Sequence, residues 1–418
     1  MSSRIRREFQ PKVIRMTIAP VTSQALAIHG GRPVRETYLP YGRQSLEESD
    51  IQAVVDVLRS DWLTTGPKVS EFEECFAARI GAKYAVSFSS GTAALHAAAF
   101  SAGLQSGDEA ITTPLTFAAT ANCILYQGAT PVFADVSHDT LSIDPEQIAK
   151  NISARTRAIV VVDYAGHPAD LPAIAEIARK HNLIVIEDAC HALGAEHKGR
   201  QVGNIADMTV FSFHPVKHIT TGEGGMVTTN NAQYVEALRR FRNHGISTEA
   251  RQRQEAGQWH YEMVLLGFNY RLPDFACALG MEQLKRLDAN LKRRREIAAT
   301  YTDAFREIAG LVTPAVRSEA NPAWHLYPIR LDLAKFTANR AKIFRALRAE
   351  NIGVNVHYIP VHFHPYYRDR FGFRPGAFPV AEDAYERLIS LPMFHGMADQ
   401  DVDDVIAAVG KIVAHFVR

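Results

Sequence analysis

Three polar features with side chains suited to covalent and acid–base chemistry follow one another along this chain. They are a glycine turn, SSGT at 89–92; a carboxylate, Asp188, in IEDACHALGA; and a lysine, Lys217, in FSFHPVKHITTGEGGM. The turn precedes GTAALHAAAFSAGL, a small-residue run that predicts a buried helix over 91–104. The first N–H groups of a helix lack internal partners and favour an anion, and Thr92 adds a hydroxyl. A phosphate cup fits, although a plain helix cap uses the same residues. Asp188 ends the apolar run LIVI, at the strand edge where open α/β sheets bind ligands. A carboxylate there suits a cationic ring nitrogen or a metal, and equally a helix cap or an ion pair. Glu187 points to the other face by strand alternation and is the weaker candidate. Lys217 lies just past the predicted strand MTVFSF. Apolar, glycine-flanked surroundings desolvate an amine, lower its pKa and make it a nucleophile; elsewhere a lysine is a solvated charge.

Other chemistries fit less well. GEGG at 222–225 is neither GxGxxG nor part of GxxxxGK[ST], which removes the nucleotide P-loop and disfavours a dinucleotide oxidoreductase. His214 and His218 are four apart, but Pro215 lies between them and no HExxH accompanies them, so no metal is assigned. One cofactor calls for phosphate cup, acid and lysine together. Pyridoxal phosphate has a phosphate, a pyridine nitrogen to keep protonated and an aldehyde to hold on an amine.

The elements that must carry these residues read as α/β. Strand-like EAITTP, PVFADV, AIVVVDYAG, LIVIEDA, MTVFSF and GMVTT alternate with helical segments at 117–126 and 171–182. Near-continuous apolar strands of this kind predict a mostly parallel sheet covered by helices on both faces. After Arg271 a charged helical run over 273–308, the strand WHLYPIRLD, a helix over 337–350 and a last helix from 399 predict a smaller α+β domain, with Asn321 and Pro322 in a loop. The expected division is an N-terminal extension over 1–37, poorly ordered for lack of periodicity, a large cofactor domain over 38–272 and a small domain over 273–418.

The chain has 418 residues, long enough for a large core, and its net charge of +1 argues against nucleic-acid or membrane partners. Cys75, Cys123, Cys190 and Cys277 form no CxxC, so neither zinc nor a disulfide framework is expected, and a reducing cytoplasm suits them. The basic N-terminus has no apolar stretch of a secretory signal, and no apolar run reaches membrane-spanning length.

SSGTAAL, TPLTFAATAN, IEDACHALGA, FSFHPVKHITTGEGGM and GFNYRL, in this order and spacing, resemble the DegT-type nucleotide-sugar aminotransferases, fold-type I pyridoxal-phosphate enzymes. The resemblance runs from about Leu39 to the C-terminus. WLTTGPKV at 62–69 and HYIPVHFHPYY at 357–367 further resemble the branch that makes a UDP-linked 4-amino-4,6-dideoxy-N-acetylhexosamine in pseudaminic acid synthesis. The resemblance implies Lys217 as the Schiff-base lysine and Asp188 as the partner of the ring nitrogen. It implies phosphate contacts from Gly91, Thr92, Ala93 and Ser212, a ring stacked on Phe117, and a ring hydroxyl met by His191. Asn269 would reach the neighbouring subunit's phosphate, which implies a homodimer. Lysine rather than histidine at position 217 favours transamination over dehydration. L-glutamate would be the donor and a UDP-linked 4-keto sugar the acceptor. A dTDP- or GDP-linked keto sugar, or a regulator that keeps the cofactor without turnover, are the alternatives. For the substrate, Thr64, Arg271, His357, Tyr358 and His362 are candidates, with Trp62, Thr65 and His364 beside them. Each of these also has a plain structural reading as a loop residue or ion pair.

Overall fold

A computed structural model describes residues 25–248, 253 and 256–418. Its centre is a seven-stranded sheet built from β1 (Tyr84–Phe88), β2 (Glu109–Thr112), β3 (Thr130–Phe133), β4 (Thr156–Val162), β5 (Ile184–Asp188), β8 (Met208–Ser212) and β9 (Gly225–Thr229). The strand order is β1-β9-β8-β5-β4-β2-β3. Two short strands, β6 (Glu196–His197) and β7 (Arg200–Gln201), stand apart from it. Every pair from β8 to β3 is parallel, and β9 is antiparallel to both β1 and β8. It follows that β1 runs the same way as β8, so the C-terminal ends of β1, β5 and β8 share one edge of the sheet. The glycine turn, Asp188 and Lys217 follow those three ends.

Helices cover both faces, as the apolar strands require. On one side α3 (Gly91–Ser101) buries Ala93, Ala94, Ala97, Ala98 and Ala99 against Val86, Val160, Ile186, Val210 and Val227. Its small side chains let the helix backbone approach the sheet closely. On the other side α2 (Pro67–Ile80) places Phe72 and Phe76 against Phe211, Phe213 and Met226.

The charged run expected as one helix over 273–308 is two, Asp274–Lys285 and Leu287–Phe305, which part at Arg286. The first packs against α1 (Glu48–Leu58) and α2, beneath the large sheet. The change of texture at Arg271 is therefore not a change of packing partner. The expected loop at Asn321 is also corrected, because Ala320 and Asn321 pair with His197 and Glu196 as a short strand. Beyond it, Ala323 N–H donates to Gly166 O (2.9 Å) and Leu326 N–H to Ala165 O (3.2 Å). These two bonds draw the intervening His325 onto the turn that follows β4.

The extension expected to be poorly ordered over 1–37 is packed from residue 25 onward; residues 1–24 lie outside the described residues. Leu26 and Leu39 are buried in one hydrophobic core with Tyr301, Tyr327, Ile352 and Ile412 from the C-terminal part of the chain. The buried Glu350 carboxylate accepts N–H groups from Ala27 and Val34, each at 2.9 Å, and the buried Lys411 ammonium at 3.0 Å. Composition did not reveal this segment because a single distant carboxylate fixes its backbone. Glu350→Ala is expected to lower unfolding free energy by about 3–5 kcal/mol, since it strands a buried ammonium together with two N–H groups. Urea unfolding of the purified protein measures it.

Candidate active site

The site starts at the sheet edge. Ser90 caps α3, its Oγ accepting the Ala93 N–H at 3.1 Å, which leaves the Gly91 and Thr92 N–H groups facing outward. A Cβ on Gly91 would meet Ser212 Cβ at 2.9 Å. One on Gly225 would meet Ser90 O at 2.5 Å and Gly91 N at 2.8 Å. Bare glycines at both positions let the turn lie against the ends of β8 and β9. Gly225→Ala is expected to displace the turn, cost about 1–3 kcal/mol in stability and weaken cofactor binding. Titration of the stripped protein with pyridoxal phosphate, followed by absorbance, tests the binding.

Asp188 closes β5 and is buried. Its Oδ2 accepts the Thr120 hydroxyl at 2.7 Å and its Oδ1 the Cys190 N–H at 3.2 Å. Thr120 in turn bonds Thr116 at 2.8 Å. The donor comes from α4 (Ala118–Tyr126), whose entry residue Phe117 lies exposed at the cavity rim.

Lys217 is presented by a tight turn in which its N–H donates to His214 O at 2.9 Å, with Pro215 preset at the second turn position. The excursion closes through Phe213 N–H to Gly224 O (2.9 Å) and Thr221 N–H to Phe213 O (3.1 Å), and Gly222 supplies the left-handed φ of +82°. Enclosure by the cavity walls pulls the Lys217 ammonium below its ordinary value, with Arg294 acting in the same direction and Cys190 and Asp188 opposing. The two histidines around it diverge. His214 faces the cavity mouth, whereas His218 is buried and bonds Ala323 O at 3.1 Å, pinning the returning loop.

The fourth wall comes from the later part of the chain, around His325 and His357–Tyr358. Tyr358 OH meets His191 Nε2 at 3.0 Å, and His325 packs on His191 at 4.3 Å between ring centres. His357 bonds Ser390 Oγ at 2.9 Å, and Tyr164 OH donates to its carbonyl at 2.6 Å. Burial, with Lys217 and His357 adding to it, holds His191 well below the usual imidazole range, so its ring is neutral. Burial takes His357 down to about 4.

These walls enclose a cavity of about 530 Å³. Gly91, Thr92, Phe117, Asp188, His191, Ser212, Lys217, His357 and Tyr358 all line it. Ala93 is one step removed, its N–H held by Ser90. Of the residues expected at the substrate, Thr64, Arg271 and His362 are not brought here, nor are Trp62, Thr65 and His364. Asn269, expected to reach a neighbouring subunit and not this cavity, is exposed beside Asn243, and Arg271 donates to Asn243 Oδ1 at 2.7 Å. Thr64 is exposed on a turn held by Asp274, which accepts the Gly66 N–H at 2.8 Å and the Lys68 N–H at 3.0 Å. His362, expected at the substrate, is buried among Phe363, Phe373 and Phe378 and pairs with Glu382 at 3.0 Å. That contact gives it a structural task. His325, Cys190, Tyr41 and Asn355 line the cavity without having been singled out. Nothing local in WHLYPIRLD marks His325, since the bonds that place it come from residues 165 and 166.

The donor set fits pyridoxal phosphate. The α3 N-terminus with Ser212 suits a phosphate, Asp188 a protonated ring nitrogen, Lys217 an aldehyde and Phe117 a ring face. The buried His191 Nδ1 has no hydrogen-bond partner among the described residues, which leaves it free for a ligand atom. A mostly parallel α/β sheet carrying this cavity fits an enzyme of the fold-type I, pyridoxal-phosphate class. The model of the DegT/DnrJ/EryC1/StrS aminotransferase family matches residues 44–410, and the chain belongs to that family. It is 46% identical over 381 residues to the spore coat polysaccharide biosynthesis protein SpsC of Bacillus subtilis, covering 91% of this chain and 98% of that one. Among solved structures it is similar to Helicobacter pylori PseC, an aminotransferase involved in the biosynthesis of pseudoaminic acid, with a TM-score of 0.85 and 35% identity over 91% of this chain and 100% of that one. The PLP-form of Spr1654 from Streptococcus pneumoniae, a putative sugar aminotransferase, matches with a TM-score of 0.84 and 29% identity over 90% and 99% of the two chains.

Proposed function

We propose that this aminotransferase moves an amino group from L-glutamate to a nucleotide-linked keto sugar, with a UDP-linked 4-keto-6-deoxy-N-acetylhexosamine as acceptor and the 4-amino sugar as product. The observation that carries the reading is one cavity in which Lys217, Asp188 and the α3 N-terminus face a histidine and tyrosine wall, His357–Tyr358. Polar ring edges of that kind suit sugar hydroxyls. SpsC and PseC, named for polysaccharide and pseudoaminic acid biosynthesis, support the sugar class.

Bound pyridoxal phosphate supplies an electron sink for negative charge on the carbon next to the transferred nitrogen. Asp188, fixed by Thr120 and Cys190, holds a negative charge where the protonated ring nitrogen needs it. Lys217, with its pKa lowered, takes the proton from the donor α-carbon and returns it. Neutral His191 offers a hydrogen bond to the ring hydroxyl, and Tyr358 fixes its orientation. Over a full turnover glutamate becomes 2-oxoglutarate and the keto carbon of the sugar becomes an amine-bearing carbon.

We further assign a homodimer in the cytoplasm. Trp259, Met263 and Leu266 are 84%, 66% and 77% exposed just before Asn269, an apolar surface that a second copy would cover. No helix among the described residues is long and apolar enough to cross a membrane. Two steps test the function. Mixing the loaded protein with L-glutamate should release one equivalent of 2-oxoglutarate, which a non-catalytic regulator would not do. A panel of UDP-, dTDP- and GDP-linked keto sugars, with the position of the new amine read by NMR, then tests the acceptor. Amination of only a dTDP- or GDP-linked sugar would replace the UDP assignment.

A further inference from the structure

Beneath Asp188 lie two acids that the mechanism above does not use. Asp163 follows β4 and Glu187 is the penultimate residue of β5, and both are fully buried. The strand register pairs Val161 with Glu187 and Val162 with Asp188, which puts Asp163 just past Asp188 on the neighbouring strand. Each acid has one oxygen satisfied by a neutral donor. Ala169 N–H donates to Asp163 Oδ1 at 2.8 Å, and the Thr209 hydroxyl donates to Glu187 Oε2 at 2.7 Å. The other oxygen of each, Asp163 Oδ2 and Glu187 Oε1, is buried and finds no N–H or hydroxyl donor among the described residues. The two side chains are hydrogen-bonding neighbours of one another. A carboxyl–carboxyl hydrogen bond needs a proton on one of the two acids.

Charged neighbours make full ionisation of the pair unfavourable. From β5 comes Asp188 itself, whose backbone O accepts the Asp163 N–H at 3.2 Å, and beyond it the Cys190 thiol. From β8 comes the neutral Thr209 hydroxyl, and from the segment before β8 the Gly203 backbone. Among the described residues, no cation is one of the main groups acting on either acid. Two adjacent buried carboxylates beside a third, without a cation, keep a proton into the neutral range. Burial, with Glu187 next, pushes Asp163 well above the usual carboxylate range, and burial takes Glu187 up to about 7.

We propose that Asp163 and Glu187 share one proton as a carboxyl–carboxylate pair, and that the single negative charge left on the pair backs Asp188 in holding the protonated ring nitrogen of the cofactor. Both are positioning residues, acting through Asp188. The second half of the proposal rests on the role assigned to Asp188; the first half does not.

Linkage gives the sign of the first test. The folded pair retains a proton that the unfolded chain releases above about pH 4, so the pair's own contribution to stability falls as pH rises from there to about 7 and beyond. Relative to a variant without the pair, the stripped full-length protein should therefore take up about one more proton on folding across that window. Comparison with Asp163→Asn and Glu187→Gln isolates the pair's share, because each amide replaces the shared proton by an N–H donor. Both variants are expected to lose that difference. Infrared spectra of wild-type protein at pH 7 should show a carboxylic-acid C=O band that Asp163→Asn removes. Absence of that band, or its persistence in Asp163→Asn, overturns the shared proton, and wild-type protein alone decides the first point should the variants not fold. For the second half, the loaded Asp163→Asn/Glu187→Gln double variant should show its pH-dependent absorbance change displaced downward by about one pH unit. A band present at pH 7 together with an undisplaced profile would leave the pair structural and overturn its link to Asp188.

Discussion

Lys217→Ala is expected to abolish turnover, with activity falling by at least about 10⁴-fold, because the variant loses both the amine proposed to bind the cofactor covalently and the proposed proton carrier. The visible absorbance of lysine-bound pyridoxal phosphate should vanish with it. Folding should persist. The turn that presents the residue is held by its backbone, through His214 O, and the substitution truncates a side chain facing the cavity. Circular dichroism and a thermal melt of the stripped protein separate this from misfolding. The depressed pKa of Lys217 adds a pH signature. A neutral amine is the working form, so the rate of the glutamate half-reaction should rise with pH through a midpoint below the ordinary lysine value of 10.5. Exogenous methylamine should restore part of the rate in Lys217→Ala by serving as a mobile base. Retention of either turnover or the visible band in the variant would remove Lys217 from the centre of the site.

Much of this site was legible because its parts follow strand ends. Alternation of apolar strands and helices placed SSGT, Asp188 and Lys217 at sheet termini. The topology then had only to make β1, β5 and β8 run the same way for the three to meet. Less legible were residues whose position depends on distant backbone bonds. His325 is drawn in by Ala323 and Leu326 pairing with Gly166 and Ala165, which lie far back in the sequence, just past β4. Thr120 looked like one more small residue of a helix, yet its hydroxyl holds the key carboxylate. His362 misled for the opposite reason. A histidine in an aromatic loop suits a sugar, but this one faces Glu382 and three phenylalanines. The packed stretch from residue 25 escaped notice because composition does not show that Glu350, at the end of the helix Arg340–Ala349, and Lys411, in the last helix, converge.

Asp188→Asn is expected to slow the glutamate half-reaction by about 10³-fold while leaving the fold and the phosphate cup in place. The substitution is nearly isosteric, and its hydrogen bonds can be rebuilt. The new amide oxygen would accept the Cys190 N–H, and the Thr120 hydroxyl would turn to accept from the amide N–H₂ while donating to Thr116, 2.8 Å away. What the variant cannot keep is the negative charge. Two opposite unit charges about 4 Å apart are worth about 4 kcal/mol in a partly buried site, and each 1.36 kcal/mol is tenfold in rate, hence the expected fall of about 10³-fold. Cofactor affinity should fall much less than the rate, because Gly91, Thr92 and Ser212, the proposed phosphate contacts, are left untouched. Separate measurement of the cofactor dissociation constant and the single-turnover rate distinguishes loss of charge from loss of binding. A single-turnover rate within about tenfold of wild type would show that the ring nitrogen draws its proton from another acid. Asp163 with Glu187, buried directly behind, would be the first to substitute next.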